Sequence, residues 1–204
     1  MPTGAAQTKS SPHVQKKRRK RREEILHAAL RAFRAKGYHA TTLDDIADSL
    51  GVRKAALYHY FPDKETILYE CHRESLGEIK RLLKEAQELE SATERLEHVI
   101  REHVRVMTDT LEGSPLAFEV PALSGRRQAQ VISARDKYEH ELRQIIDDGI
   151  ESGEFRSVDS KLAAFAILGA INWIARWYQP DGPMHGSELG AEFADYLVGG
   201  LSCR

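Results

Sequence analysis

From Glu23 onward the apolar positions repeat with the period of an α-helix. Leu26, Ala29, Leu30 and Phe33 fall at i, i+3, i+4 and i+7, one face of a helix that Gly37 is placed to end. Thr42 is set to cap a second helix, with Asp45 three residues on as a shortened capping box and Ile46, Ala47 and Leu50 as the buried edge. Gly51 supplies a tight turn, and a third short helix is predicted over 53–60, stopped by Pro62. Three short helices with a glycine turn between the second and third make a helix-turn-helix.

Beyond it, helices are predicted over about 63–89, 92–112, 126–152 and 160–178, the last capped by Asp159. A final helix opens at Ser187, with Leu189, Phe193, Tyr196 and Leu197 along one side. The stretch 112–125, EGSPLAFEVPALSG, is punctuated by Gly113, Pro115, Pro121 and Gly125, and reads as loop with at most a short helix around Phe118. No strand pattern is present. The predicted fold is all-α with about nine helices, divided into a disordered basic arm over 1–22, a helix-turn-helix domain over 23–66, and a ligand-binding and dimerisation domain over 67–204.

Charge sharpens that division. Residues 1–64 carry 14 Lys/Arg against 6 Asp/Glu, whereas the remainder carries 16 against 25, so the near-neutral total conceals a basic third and an acidic body. Only the first part is suited to a polyanion. KKRRKRR, residues 16–22, repels itself and is expected to stay extended until an anionic partner orders it. No apolar leader opens the chain, and the nearly apolar run 162–171 is half the length that crosses a bilayer. Cys71 and Cys203 match no metal or redox spacing, which fits a reduced, cytoplasmic protein.

The third helix holds the first candidate chemistry. Ala56, Leu57 and Tyr60 turn toward the small core, with Phe61 closing it; Lys54, Ala55, Tyr58 and His59 share the opposite face, with Arg53 at the start. Such a helix suits the major groove: Arg53 and Lys54 can donate to guanine, and Ala55 can approach a thymine methyl. Tyr58 and Lys64 fit phosphate contacts, Lys64 because a cation at a helix start otherwise opposes the macrodipole. Thr42 offers a hydroxyl and its neighbouring amides to another phosphate.

The stretch AALRAFRAKGYHATTLDDIADSLGVRKAALYHYFPDKETIL resembles the amino-terminal domain of the TetR family of bacterial repressors. The likeness lies in G-Y-x-x-T-T, the I-A-x-x-x-G-V turn, L-Y-x-Y-F and the following Lys64, and helical spacing extends it along the chain. The resemblance implies a homodimer on a palindromic double-stranded operator, control by a small ligand in the second domain, and Thr42, Lys54, Ala55, Tyr58, His59 and Lys64 at the DNA surface.

In the second domain, LAAFAILGAINWIARWY (162–178) is apolar almost all round, broken only by Asn172 and Arg176. A helix too short for a membrane and without a polar face is buried on two sides, one against its own domain and one against a partner. With the last helix it predicts a homodimer through about 160–178 and 188–199. Val104, Met107, Leu111, Phe118, Trp173 and Trp177 are candidates for an apolar ligand wall, with Arg105, Asn172 and Arg176 as polar anchors; core packing is the competing reading for each apolar one, and a carboxylate across the dimer for Arg176. NWIARWYQPDGP resembles TetR members tied to fatty-acid, steroid or aromatic-acid breakdown, several of which answer to acyl-CoA thioesters, so a small lipophilic effector of that kind is expected.

Rival functions leave weaker traces. His98 and Glu102 with His103 form at most half a metal site, and no nucleophile elbow, P-loop or dinucleotide fingerprint is present, so neither an enzyme nor a cofactor or metal is expected. An efflux regulator would stack a cationic drug on Trp173, Trp177 and Tyr178. An architectural DNA-binding protein would use the basic arm without a ligand.

Overall fold

The computed structural model describes residues 12–203. Among them are eight α-helices and no strand beyond one isolated bridge between Phe155 and Ser202. The expected ninth element is a pair of 3-10 turns, Leu116–Phe118 and Val120–Ala122, where Pro115 and Pro121 prevent a longer helix. No described helix is long and apolar enough to cross a membrane.

Helix α1 spans Pro12–Lys36, so residues 16–22 are helical rather than the extended arm expected. Lys and Arg are good helix formers, and the apolar half of α1, buried through Ile25, Leu26, Leu30 and Phe33, serves as a template from which the helix propagates outward. Arg19–Glu23 at 3.4 Å and Arg21–Glu24 at 2.6 Å relieve part of the repulsion. Arg22 is drawn inward, donating to the Tyr60 carbonyl at 3.0 Å and lying 4.5 Å from the centroid of Phe61. The expectation for residues 1–11 lies outside the described residues.

Gly37, at φ +78°, ends α1. Helix α2 (Leu43–Ser49) begins in the anticipated capping box between Thr42 and Asp45. Gly51, at φ +64°, turns the chain into α3 (Lys54–Tyr58), and Phe33, Ile46, Leu57 and Phe61 pack as the core beneath. Asp63 caps α4 (Lys64–Ala86), a helix that leaves the small domain and runs into the large one. Helix α5 (Ala92–Arg105) starts at a Ser91–Glu94 box and passes into a π-helical turn, Val106–Thr110. Helices α6 (Gly125–Glu151), α7 (Ser160–Trp177, capped by Asp159) and α8 (Gly186–Gly199) complete the bundle.

Helix α8 lies close against α5 because glycine permits it: a Cβ on Gly186 would stand 2.1 Å from Thr108 Oγ1, and one on Gly190 would stand 3.1 Å from the Arg101 carbonyl. On α7, Ala164, Ile167, Ile171 and Ile174 are buried in the domain while Leu162, Phe165, Trp173 and Trp177 are exposed on the opposite side.

Candidate nucleic-acid interface and sensing cavity

The outward face of α3 has the composition expected. Tyr58 is 51% exposed, Arg53, Ala55 and His59 are exposed, and Leu57 is fully buried beneath them. Lys54 lies half-exposed with Nζ 3.0 Å from Asp44 Oδ2, which orients the ammonium from α2. An exposed pair of this kind is weak, so a stronger anion or a guanine edge can displace it.

Two neighbouring residues are engaged by the protein itself, Lys64 in a way not expected and Thr42 in the expected capping box. The Lys64 ammonium donates to the carbonyls of Tyr38 and Thr41, each at 2.7 Å, and lies 4.3 Å from the centroid of Tyr38. A cation at the start of α4 therefore needs no phosphate to explain it, because it closes the 38–41 turn. Thr42 is likewise occupied: its amide and hydroxyl donate to Asp45 Oδ2, both at 2.8 Å, and its hydroxyl accepts from the Asp45 amide. The Lys36 hydrogen bond, with those from the Thr42 amide and hydroxyl, holds the Asp45 carboxyl far below the usual carboxylate range.

The large domain contains two adjoining spaces. The outer one, about 1010 Å³, is a cleft between α4 and α6 whose rim carries Arg73, Lys80, Arg81, Lys84 and Lys137. Arg81 is paired with Glu78 and Glu85, and Lys137 with Glu141, whereas Lys80 and Lys84 are exposed without an ion pair among the described residues. The inner one, about 440 Å³, is a chamber walled by α4, α5, α6 and α7. Leu76, Ile79, Val131 and Tyr138 line both, so a single layer of side chains joins cleft to chamber.

Of the residues expected to meet a ligand, Met107, Leu111, Phe118 and Asn172 line the inner chamber. Val104 is plain core. Arg105 faces neither space and is held by Glu102 at 2.7 Å. Trp173, 58% exposed, and Trp177 lie on the outer face of α7, where Trp177 stacks on Phe193. Alternation around α7 explains this correction: Asn172 faces the chamber, and its neighbour one position on faces away. The Arg176 guanidinium lies 4.7 Å from the centroid of Phe118. None of Trp173, Trp177 and Tyr178 lines the cleft or the chamber.

The chamber's polar residues were not anticipated. His72 on α4, His103 on α5, and Arg135 and Tyr138 on α6 converge there from distant parts of the chain. Tyr138 Oη and His103 Nδ1 are 2.9 Å apart. Arg135 donates to the Ala117 carbonyl at 3.0 Å. Burial, with the charge of Arg135, lowers both histidines to about 3, so both are neutral near pH 7. The basic stripe on α4, Arg73, Lys80, Arg81 and Lys84, is a sequence signal for the cleft and not for the chamber, whose polar groups come together only through packing. His98, Glu102 and His103 turn to separate partners: His98 lies 3.4 Å from Glu85, Glu102 holds Arg105 and His103 meets Tyr138.

Chamber and small domain are linked by a short path. Met107 and Leu111 line the chamber, and Glu112, at φ +49°, follows directly. Its carboxylate accepts from Arg31 at 3.0 Å and sits 3.1 Å from His27 Nδ1, both on α1, while its carbonyl accepts from Arg34.

A family model described as bacterial regulatory proteins, tetR family, matches residues 25–71, and one described as tetracyclin repressor-like, C-terminal domain, matches residues 89–201. The chain is 29% identical over 196 residues to the HTH-type transcriptional repressor KstR2 of Mycolicibacterium smegmatis, covering 89% of this chain and 91% of the relative. It is 37% identical to the TetR family transcriptional regulator PfmR of Thermus thermophilus, with a TM-score of 0.78 over 88% of this chain and 99% of that one. Similarity extends to AibR, solved with isovaleryl coenzyme A and operator DNA: TM-score 0.76, 28% identity, 89% of this chain and 98% of that one.

Proposed function

Since the chain belongs to the TetR family of transcriptional repressors, we infer that it binds a palindromic operator as a homodimer and leaves it when an acyl-CoA thioester enters the large domain. The observation that carries the reading is the paired cavity. A cleft rimmed by Lys80, Lys84 and Lys137 offers cations to the phosphates of a nucleotide, and the smaller chamber behind Leu76 and Ile79 offers room for an acyl group. That the similar AibR was solved with isovaleryl coenzyme A and operator DNA supports the same effector class here.

On the DNA side, α3 enters the major groove with Arg53 and Lys54 reading base edges, Ala55 close to a thymine methyl, and Tyr58 and His59 near the backbone. Thr42 and Lys64 shape the turn that presents α3; a phosphate contact by either adds to that structural role. The exposed face of α7, with Tyr196 of α8, is the dimer seam, because Leu162, Phe165, Trp173 and Trp177 form an apolar stripe that a second copy would cover. Repression acts where the operator is, which places the protein in the cytoplasm, on the nucleoid when bound.

Release follows from two states of differing affinity for the thioester. Helix α4 lines both cavities and begins beside the DNA-reading domain, and Glu112 ties the chamber's edge to α1. A shift of either alters the spacing of the two α3 helices away from the ~34–36 Å between successive major grooves. Binding-site selection from random duplex DNA, with and without a mixed acyl-CoA pool, tests this. An enriched palindrome that disappears with the pool is the expected result; a palindrome indifferent to the pool rejects the effector class, and no enriched motif rejects the operator.

A further inference from the structure

The inner chamber joins an apolar wall, with Leu76, Ile79, Met107 and Leu168, to polar groups that a plain hydrocarbon chain would leave unmatched. Among its described lining residues Arg135 alone is cationic, since His72 and His103 are neutral. Its guanidinium donates to the Ala117 carbonyl at 3.0 Å but makes no ion pair among the described residues. The carboxylates nearest in the lining do not serve it: Asp136 is exposed, and Glu139 pairs with Arg143 at 2.8 Å. His72 is a second, independent sign. It is only 4% exposed, lines the same chamber from α4, and its Nε2 has no hydrogen-bond partner among the described residues.

Both groups gain from the same kind of ligand atom. A guanidinium in a weakly hydrated wall is stabilised by an oxyanion matched to its fork, and its remaining N–H groups are directed donors. A buried imidazole nitrogen left unpaired destabilises the state that contains it, and an incoming acceptor oxygen relieves that when Nε2 carries the proton. A methyl-terminated chain would bury both groups without satisfying either.

We propose that the chamber takes a carboxylate at the far end of the effector's acyl chain, with Arg135 as its charge partner and His72 as its hydrogen-bond partner. The effector class is then the monothioester of a dicarboxylic acid rather than a simple fatty acyl-CoA. The thioester end rests on the reading given above; the carboxylate end does not, because a free dicarboxylate presents the same chemistry to Arg135.

The test is isothermal titration calorimetry of the full chain with octanoyl-CoA, suberyl-CoA and free suberate, on the unaltered protein, Arg135→Gln and Arg135→Lys. Suberyl-CoA is expected to bind at least about tenfold more tightly than octanoyl-CoA, since a site built for a polar group discriminates strongly against its absence. That preference vanishes in Arg135→Gln and survives in part in Arg135→Lys. Circular-dichroism melting of each variant separates a folding defect from a binding one, and the ratio in the unaltered protein decides the matter if a variant does not fold. Equal or tighter binding of octanoyl-CoA overturns the carboxylate subsite while leaving the thioester reading in place. Binding of suberate that depends on Arg135, with neither thioester bound, sustains the subsite and overturns the thioester reading. Binding of none of the three overturns both.

Discussion

Burial, helped by the charge of Arg135, carries His72 and His103 from the usual 6.5 down to about 3. Between those values the unfolded chain binds a proton at each histidine that the folded protein does not. Stability from this source is therefore fully present above pH 6.5 and is lost as pH falls toward 3, at about 1.4 kcal/mol per pH unit for each histidine. Urea unfolding at about pH 7 and pH 5.5 should show the midpoint falling on acidification, and His72→Gln should remove roughly half of that dependence; a midpoint unchanged with pH contradicts the assignment. On α3, Lys54→Ala should relax base preference at one position of each half-site, whereas Tyr58→Ala should weaken all sequences alike, both read by binding-site selection. The outward side chains of α3 were legible because a short helix with a buried Leu57 has only one other face to present. The engagement of Lys64 was not, because its partners are carbonyls of the 38–41 turn, whose positions depend on the fold of that turn, whereas the Thr42–Asp45 box follows from spacing alone.

Elements with periodic apolar faces were predicted to within a few residues, and their caps at Thr42, Asp63, Ser91 and Asp159 are geometric facts of the structure. The helical state of the basic stretch of α1 is not legible from its own charges, because it is the buried half of the same helix that extends it outward. Exchanging Lys16, Lys17, Arg18 and Lys20 for glutamine should lower affinity for any duplex and flatten the slope of log K against log salt by roughly one unit per lost phosphate contact. An unchanged slope would mean that the extension does not meet DNA. The π-helical turn Val106–Thr110 carries no signal in the chain, and it brings Thr108 close to Gly186 at the start of α8. Glu112 at its end is the tie to α1. Glu112→Ala should keep thioester affinity but reduce its effect on operator binding by roughly fivefold or more. Full release by the variant, measured by fluorescence anisotropy of labelled operator, would exclude Glu112 from the coupling.

At the scale of the whole molecule, the apolar stripe of α7 was legible because a helix without a polar face needs cover on two sides, and the domain supplies only one. Trp173→Glu is expected to turn the dimer into a monomer in sedimentation velocity and to weaken operator binding by roughly a hundredfold, since the second half-site loses its tethered partner. A variant that remains dimeric places the seam elsewhere. The cavity was only partly legible: Met107, Phe118 and Asn172 were found, but His72, His103 and Arg135 meet only through the packing of three helices. On this reading one chain joins an operator site to a thioester site of opposing preference. The most direct measurement is reciprocal: operator affinity at zero and saturating suberyl-CoA, and suberyl-CoA affinity at zero and saturating operator, in one buffer. Linkage requires that each ligand weaken the other by the same factor, greater than one. A factor of one in both directions, with both ligands bound, would mean that the two sites are not coupled.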